Sequence, residues 1–426
     1  MNAPPLPTLL VIPTGIGCAV GGFAGDGLPA ARLLAAASGC LITHPNVLNG
    51  ASLYWSDRRL HYVEGWALDR FAAGDLALLP VPSRRVGLLL DAGIEPELLQ
   101  RQLEAAEACR ASLGLSIGPV LRSEAPLGVR LRLGSSGASW GSLDRPDLLL
   151  RAGERLVEAG ATAIAVVARF PDDTDREALE HYRHGSGVDA LAGAEAVISH
   201  LLVEHLGIPC AHAPALAPLP LDPALDPRAA AEELGHTFLP CVLVGLSRAP
   251  DLRPLRPLRP LRPLRPLRPD SSSPRPLGAL EAGAAGHTPA LLSAADLGAV
   301  VAPATALGGE AVLACAERGV PLIAVTGNPC LLQVDAACLG LEVIEAATYA
   351  EAAGLVLALR EGLDPAALRR PFRRLRWLAD GPPGRGEAAA AGSAAGAGVS
   401  AVASGGCPDG SGCSAAGSRP ACRSDA

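Results

Sequence analysis

His44, Asn46 and Asn49 stand together in the segment Thr43-His-Pro-Asn-Val-Leu-Asn-Gly50. An imidazole beside two primary amides can move a proton while the amides orient a polar molecule. The same residues also suit Asx turns around a structural histidine. His212 lies two residues after Cys210 in Ile-Pro-Cys-Ala-His-Ala-Pro, and on an extended strand both side chains share a face. His44 and then His212 are the candidate acid–base residues. Glu64 and Asp69 in HYVEGWALDR could orient His44. His200 and His205 sit in an apolar helical stretch and read as structural. His181 and His184, with Asp172, Asp173 and Asp175 upstream, lack the HExxH or HxH spacing of a metal site.

Three glycine-rich turns could offer backbone amides to an anion. The first runs Pro13-Thr-Gly-Ile-Gly-Cys-Ala-Val-Gly-Gly-Phe-Ala-Gly-Asp-Gly27 between a strand and a helix. There both the N–H groups and the helix dipole favour negative charge. Gly15, Gly17 and Gly21, with Gly22 and Asp26 alongside, have a spacing related to dinucleotide fingerprints. The second strand ends in CLITHPN, however, with no carboxylate for a ribose, so NAD is disfavoured. The second turn, Gly134–Ser142, is expected to join a strand to a helix, with Ser135, Ser136 and Ser139 lining an anion nest. Its GASWG is also a formal G-x-S-x-G match. Ser139 nevertheless lies six residues past Leu133, whereas a nucleophile elbow follows its strand directly. The third turn, Gly308-Gly309-Glu310, opens a helix, and Thr326-Gly-Asn328-Pro follows the next strand. This unit resembles the donor-binding lobe of some glycosyltransferases, where a Gly-Gly turn and an acid hold a nucleotide sugar. Capping of the helix by Glu310 is the alternative.

All 36 cationic side chains of the 426-residue chain are arginine. Without lysine there is no Schiff base, which excludes pyridoxal-phosphate enzymes. Walker A loops and protein kinases are excluded too, because both place a lysine on phosphate. A phosphate would have to be held by arginine (Arg169 and Arg183 are candidates), by amides or by Mg²⁺. The formal charge of −7 and the 3% aromatic content argue against nucleic acid as a partner. No apolar run reaches ~18 residues, and the N-terminus lacks a basic n-region, so neither a membrane partner nor a secretory signal is expected. Eleven cysteines without paired spacing read as reduced thiols of a cytoplasmic protein.

Apolar runs at Thr8–Ile12, Cys40–Thr43, Val86–Leu90, Val129–Leu133, Thr162–Ala168, Phe238–Gly245, Ala299–Ala302 and Pro321–Val325 predict buried strands. A further short strand is expected around Ile208–Pro214. Helices are predicted over Pro29–Ala37, Glu95–Leu113, Pro146–Ala159 (capped by Asp144), Asp189–Leu206, Glu310–Arg318 and Tyr349–Arg360. The alternation implies an α/β fold with mostly parallel, Rossmann-like sheet layers flanked by helices, in two lobes with a cleft. Sites in such folds lie at strand carboxyl ends, where the candidates above fall.

Six Leu-Arg-Pro triplets occupy 252–269, and proline at every third position is expected to exclude ladders and favour a polyproline II rod. Without their six positive charges the net charge falls from −7 to −13. From about Asp380 the chain is rich in Gly, Ala and Ser and is expected to be disordered. Its Cys407, Cys413 and Cys422 lack zinc spacing. The expected organisation is a main α/β lobe over 1–250 and an insertion over 251–277. Residues 278–379 form a second lobe or complete the first sheet, and 380–426 are the tail.

The phrases GIGCAVGGFAGD, THPNVLNGA, YVEGWALDRF, GSGVDALAGAEAVISHL, PCAHAPAL and ELGHTFLPCVLVGLSRAP resemble a conserved cyanobacterial and plastid family known as domain of unknown function 3326. The resemblance runs from Thr8 to about Arg370 and departs at the triplet insertion and the tail. It implies a cyanobacterial-type cytoplasm, and it assigns no activity and no catalytic residue.

The leading expectation is a transferase-like enzyme for an anionic, phosphorylated or carboxylated small metabolite, or a nucleotide-type ligand. Mg²⁺ would accompany a phosphorylated one. The alternatives are a non-catalytic binding or regulatory protein, and a serine hydrolase acting through Ser139. The oligomeric state is left open.

Overall fold

Leu9 and Leu10, neighbours in one strand, enter different hydrophobic clusters, as do Leu88 and Leu89, and Val166 and Val167. Alternate side chains of a strand leave opposite faces, so these strands are apolar throughout because both faces are covered. The computed structural model describes residues 3–49, 57–172, 176–235, 238–256 and 291–372. Residues 1–370 form one unit; of the second, 371–426, only Pro371 and Phe372 are described.

Among the described residues the strands, in chain order, are β1 (Thr8–Leu10), β2 (Leu41–Thr43), β3 (Leu60–Tyr62), β4 (Leu76–Leu79) and β5 (Val86–Leu90). They continue with β6 (Ile117–Arg122), β7 (Val129–Leu133), β8 (Ser139–Leu143), β9 (Ala163–Arg169) and β10 (Cys210–Ala215). The last are β11 (Asp251–Pro254), β12 (Ala299–Pro303), β13 (Leu322–Val325) and β14 (Ile344–Ala346). The helices begin with α1 (Leu28–Ser38), α2 (Pro45–Leu48), α3 (Gly65–Ala73), α4 (Pro96–Leu113), α5 (Pro146–Glu158) and α6 (Arg176–Arg183). They end with α7 (Ala192–Leu206), α8 (Pro227–Glu233), α9 (Leu239–Leu246), α10 (Glu310–Glu317), α11 (Ala336–Leu339) and α12 (Tyr349–Arg360).

A six-stranded parallel sheet has the order β14-β13-β12-β1-β2-β3, and a four-stranded parallel sheet the order β10-β9-β5-β6. The first draws strands from both ends of the folded chain, with β1 pairing in register with β2 on one side and β12 on the other. Two antiparallel pairs, β4–β11 and β7–β8, complete the strands. The fold is therefore mixed α/β with two parallel sheets flanked by helices. No helix among the described residues is long and apolar enough to cross a membrane.

Four local expectations are corrected. Phe238–Gly245 is not a strand, because Leu239–Leu246 is helical and almost wholly buried. A run apolar on every side carries neither a two-residue nor a 3.6-residue period, so its type is set by what surrounds it. Gly134–Ala138 does not lead into a helix; it is the turn of the β7–β8 hairpin, and Ser139 is the first residue of β8. Asp144 does not cap α5, whose N-cap is Arg145, but forms a bidentate pair with Arg130 across that hairpin. The first Leu-Arg-Pro triplet is not a free rod. Leu252 and Arg253 lie in an antiparallel ladder opposite Leu78 and Ala77, with Pro254 at the end of β11, a position where a missing N–H is tolerated. Leu292 bridges the same Leu78, so both flanks of 257–290 are anchored on β4. Residues 257–290 themselves, and the tail from Asp380, lie outside the described residues.

Candidate functional site

One cavity of about 100 Å³ collects side chains from both parallel sheets. Thr14 comes just beyond β1, His44 just beyond β2, and His212 from β10, while α7 supplies Glu195, Ser199 and His200. In the measure where one water needs ~10–15 Å³, this volume takes roughly seven to ten waters, or a molecule of similar heavy-atom count.

Each histidine in the cavity is held differently. Ile12 donates its N–H to His44 Nε2 at 3.2 Å, so the remaining proton of the neutral ring sits on Nδ1. Burial pulls the His44 pKa down to about 4, with His200 acting in the same direction. His44 is thus a neutral hydrogen-bond donor at physiological pH, and its basic nitrogen is already engaged. His200 Nε2 stands 3.0 Å from Glu64 Oε1. Burial lowers the His200 pKa, yet the Glu64 hydrogen bond and the charges of Glu64, Asp69 and Glu204 outweigh it and hold the ring above its ordinary value. Glu64 is nearly fully buried and also caps α3, accepting from the Trp66 N–H at 2.9 Å. A Cβ on Gly65 would come within 2.8 Å of His200 Nε2, so the glycine makes room for this pair.

His212 carries a relay. Its Nδ1 is 2.5 Å from Ser199 Oγ, and its Nε2 is 3.4 Å from Glu195 Oε2. One tautomer satisfies both, with Nε2–H toward Glu195 and Nδ1 accepting the Ser199 hydroxyl proton. Glu195 and Ser199 are four apart on α7, which puts them one above the other on the helix face that meets β10.

The cavity is acidic. Glu64, Asp189, Glu195 and Glu232 all line it, and no arginine does among the described residues. Burial, reinforced by the Glu195 charge, pushes the Asp189 carboxyl up to about 7. Burial and then the Asp189 charge raise Glu232 well above the carboxylate range. Glu232 Oε1 accepts from Tyr182 Oη at 2.8 Å and from the Ala24 N–H at 2.5 Å. No group of three or more His, Cys, Asp or Glu among the described residues is arranged to hold a metal ion.

The other sequence candidates are distributed as follows. Asn46 and Asn49 line the cavity, but Asn46 Nδ2 donates to Gly21 O at 3.0 Å and Asn49 Oδ1 accepts from Tyr62 Oη at 2.9 Å. Gly15, Gly17 and Gly21 all have positive φ, and a Cβ on Gly22 would overlap the Cys18 carbonyl. The glycines are thus required by the loop's own path. Much of the loop's amide capacity is used internally: Gly21 N–H by Asp26, Ala24 N–H by Glu232, Val20 N–H by Asn328, and Ala19 N–H by Pro329 O. Asn328 also donates to Val20 O and Tyr349 Oη, at 2.9 and 2.8 Å, and so clamps the loop from behind.

Ser139 Oγ donates to Ala190 O at 2.9 Å and accepts from Gly193 N at 3.1 Å, while its own N–H reaches Gly15 O. It pins the hairpin to the glycine loop and α7. Ser135 and Ser136 are exposed in the hairpin turn. Gly308 and Gly309 precede α10, where Asp69 accepts the Ala311 N–H at 3.0 Å and Glu310 pairs with Arg70. Neither Glu64 nor Asp69 orients His44 as the sequence suggested, because they are committed to His200 and α10. Arg169 is paired with Glu95 and Asp172, and Arg183 with Glu233 and Asp222. Cys210 makes no thiolate–imidazole pair with His212, since burial holds its thiol protonated. His205 pairs with Glu154 and His184 with Asp222, while Asp173 and Asp175 lie outside the described residues. Sequence reasoning missed His200, Ser199, Glu195, Asp189 and Glu232 as cavity residues; the one available sign was three polar groups, Glu195, Ser199 and His200, interrupting an apolar helix.

A protein of Synechococcus sp. carrying the name "Uncharacterized lipoprotein" is 53% identical to this chain over 373 residues, covering 88% of this chain and 96% of that protein. No solved structure matches the chain. The family described as "Protein of unknown function (DUF3326)" matches residues 7–369. The chain belongs to that family.

Proposed function

We propose that the cavity is an acid–base site for a small polar molecule that is neutral or cationic. The observation that carries this is the pairing, in one cavity, of carboxyls that keep a proton near neutrality with an imidazole whose proton path is set. Groups whose environments separate their pKa values mark the acid and base of a site. In this reading Asp189 is the proton donor, the Ser199–His212–Glu195 relay accepts a proton, and His44 Nδ1–H orients an acceptor atom of the ligand. The lining argues against the anionic metabolite that the glycine turns suggested. A phosphate would meet four acidic side chains and no arginine, and any of them that is ionised repels it, since like charges at a few ångströms away from bulk water repel by several kcal/mol.

The test is a thermal-shift screen of the purified protein at pH 7, contrasting small polyols, amides and amines with phosphate, pyrophosphate and citrate. Native mass spectrometry would accompany it to identify any co-purified molecule. A neutral or cationic binder that protects the wild type but not Glu195→Gln or His212→Asn is expected. Protection by the anions alone sinks the reading. Turnover of the binder that His212→Asn abolishes separates an enzyme from a binding protein.

We also propose a cytoplasmic chain that is not anchored through Cys40. Ala37-Ser38-Gly39-Cys40, which ends the apolar helix α1 and enters β2, looks like a lipid-attachment box, in which the chain is cut before the cysteine. Cutting there would remove α1 and the central strand β1, and Cys40 is 7% exposed where the chain enters β2. The lipoprotein name belongs to the Synechococcus relative.

A further inference from the structure

Two thiols 312 positions apart in sequence face each other outside the acid–base cavity. Cys18 lies in the glycine loop and Cys330 in the segment after β13, and both border a recess open to the surface. Backbone hydrogen bonds tie their neighbours together on either side: Leu331 N–H to Ile16 O at 3.0 Å, and Ala19 N–H to Pro329 O at 3.0 Å. Cys18 Sγ rests 3.8 Å from Pro13 O and is buried, while Cys330 Sγ is 3.3 Å from Thr305 Oγ1 and partly exposed.

We infer that Cys18 and Cys330 are a redox-responsive dithiol, closed by peroxide into a disulfide that fastens the glycine loop to the β13 segment. The two strands of backbone are already registered so that the side chains between them meet, which is the approach a disulfide needs. The steps balance without another component. Hydrogen peroxide oxidises the more accessible Cys330 thiol to a sulfenic acid, releasing one water. The Cys18 sulfur then attacks that sulfur, the S–O bond breaks, and hydroxide leaves with the Cys18 proton as a second water. In sum two thiols lose two hydrogens and two electrons, and one peroxide becomes two waters. Cys18 is the resolving partner because burial, and then the Cys330 thiol itself, keep it protonated, so the first attack falls to Cys330. The glycine loop also supplies Thr14 and Ala24 to the acid–base cavity. The dithiol does not depend on that cavity's proposed chemistry.

The experiment uses the full chain, reduced and then treated with hydrogen peroxide, alkylated, and digested without reductant at arginine and aspartate. Cleavage at Asp335 separates Cys330 from the exposed Cys338. The expected product is one cross-linked species joining the Cys18 and Cys330 peptides, lighter by two hydrogens than the reduced pair. It should be at least tenfold above the untreated level, with two of the eleven thiols lost to alkylation. Cys330→Ser should leave Cys18 fully alkylatable after the same treatment. Three outcomes overturn the inference: Cys18 alkylated as before while Cys330 is over-oxidised, a bridge from Cys330 to Cys338 or to a tail thiol, or a link that persists in Cys330→Ser. Because the wild-type mapping alone decides among them, a variant that fails to fold leaves the test intact.

Discussion

Replacing Asp189 with asparagine should remove a pH-dependent part of the stability. The carboxyl is held at about 7 in the fold, against an ordinary value of 3.8, by burial and by the charge of Glu195. Between those values the folded chain keeps a proton that the unfolded chain has released. Stability from this group is therefore full below about pH 4 and is lost progressively as pH rises to 7. At ~1.4 kcal/mol per pH unit the three units amount to about 4 kcal/mol. The interval from pH 5 to pH 8 contains two of those units, about 3 kcal/mol. For the roughly 320 described residues unfolding with ~2 cal/mol/K each, that corresponds to about 4 °C in Tm. The assay is the difference in Tm between wild type and Asp189→Asn, measured by differential scanning fluorimetry every half unit from pH 5 to pH 8. Taking the difference cancels the opposite trend from His44 and His61, both held near 4 by burial, which adds stability as pH rises to about 6.5. The wild-type advantage should shrink by about 4 °C and level off near pH 7. Glu195→Gln, which removes the neighbouring charge, should move the levelling point to lower pH. Parallel curves for wild type and Asp189→Asn across the whole range would refute the placement of a stored proton at this site.

Four further outcomes follow from the same geometry. Gly65→Ala puts a methyl against His200 Nε2, so the imidazole should leave Glu64 and its NMR-titrated pKa should fall below the wild-type value. Ser139→Ala removes the hydrogen bonds to Ala190 and Gly193 and should cost about 1–3 kcal/mol in urea unfolding; a fluorophosphonate probe should leave Ser139 unlabelled in the wild type. Asn328→Ala leaves both backbone groups of Val20 and the Tyr349 hydroxyl unpaired, and should cost about 3 kcal/mol. Peptide mapping of natively expressed protein should recover the residues before Cys40 with an unmodified Cys40, and a mature chain beginning at a lipidated Cys40 would contradict the core position of β1.

A strand such as Ala163-Ile-Ala-Val-Val-Ala, buried on both faces, was legible because so long an apolar run needs no partner knowledge to be recognised as core, whereas the shorter buried β4 (Leu76–Leu79) was passed over. Legibility failed where type depends on surroundings. Leu239–Leu246 is as apolar as any strand here, and only its packing makes it helical. Gly134–Ala138 contains turn residues equally suited to a hairpin or to a strand–helix joint. The cavity was half legible: His44 and His212 follow or lie in strands, where α/β sites are sought, whereas Ser199 and His200 belong to a helix whose apolar context suggested silence. Glu64 was visible as a candidate orienter, but the choice between His44 and His200 is made by a contact across 136 positions of sequence.

The glycine loop shows how the chain itself can take up amides that a local reading offers to a ligand. A turn rich in N–H groups before a helix attracts acceptors, and acceptors are there: carboxyl oxygens of Asp26 and Glu232 accept from Gly21 and Ala24. These internal acceptors engage the two amides without a phosphate. Glu232 also lines the cavity, where burial and then the Asp189 charge raise its carboxyl, while burial and the Glu195 charge raise that of Asp189. The amide-rich loop and the proton-holding cavity are therefore one electrostatic unit, with Glu232 facing each. Absent lysine fits this arrangement. The arginines Arg169 and Arg183 are spent on Glu95, Asp172, Glu233 and Asp222 outside the cavity, and with no arginine in the lining burial raises the Asp189 and Glu232 carboxyls. Under the proposed function, a ligand bringing its own positive charge, or a proton acceptor, is the species this lining would take.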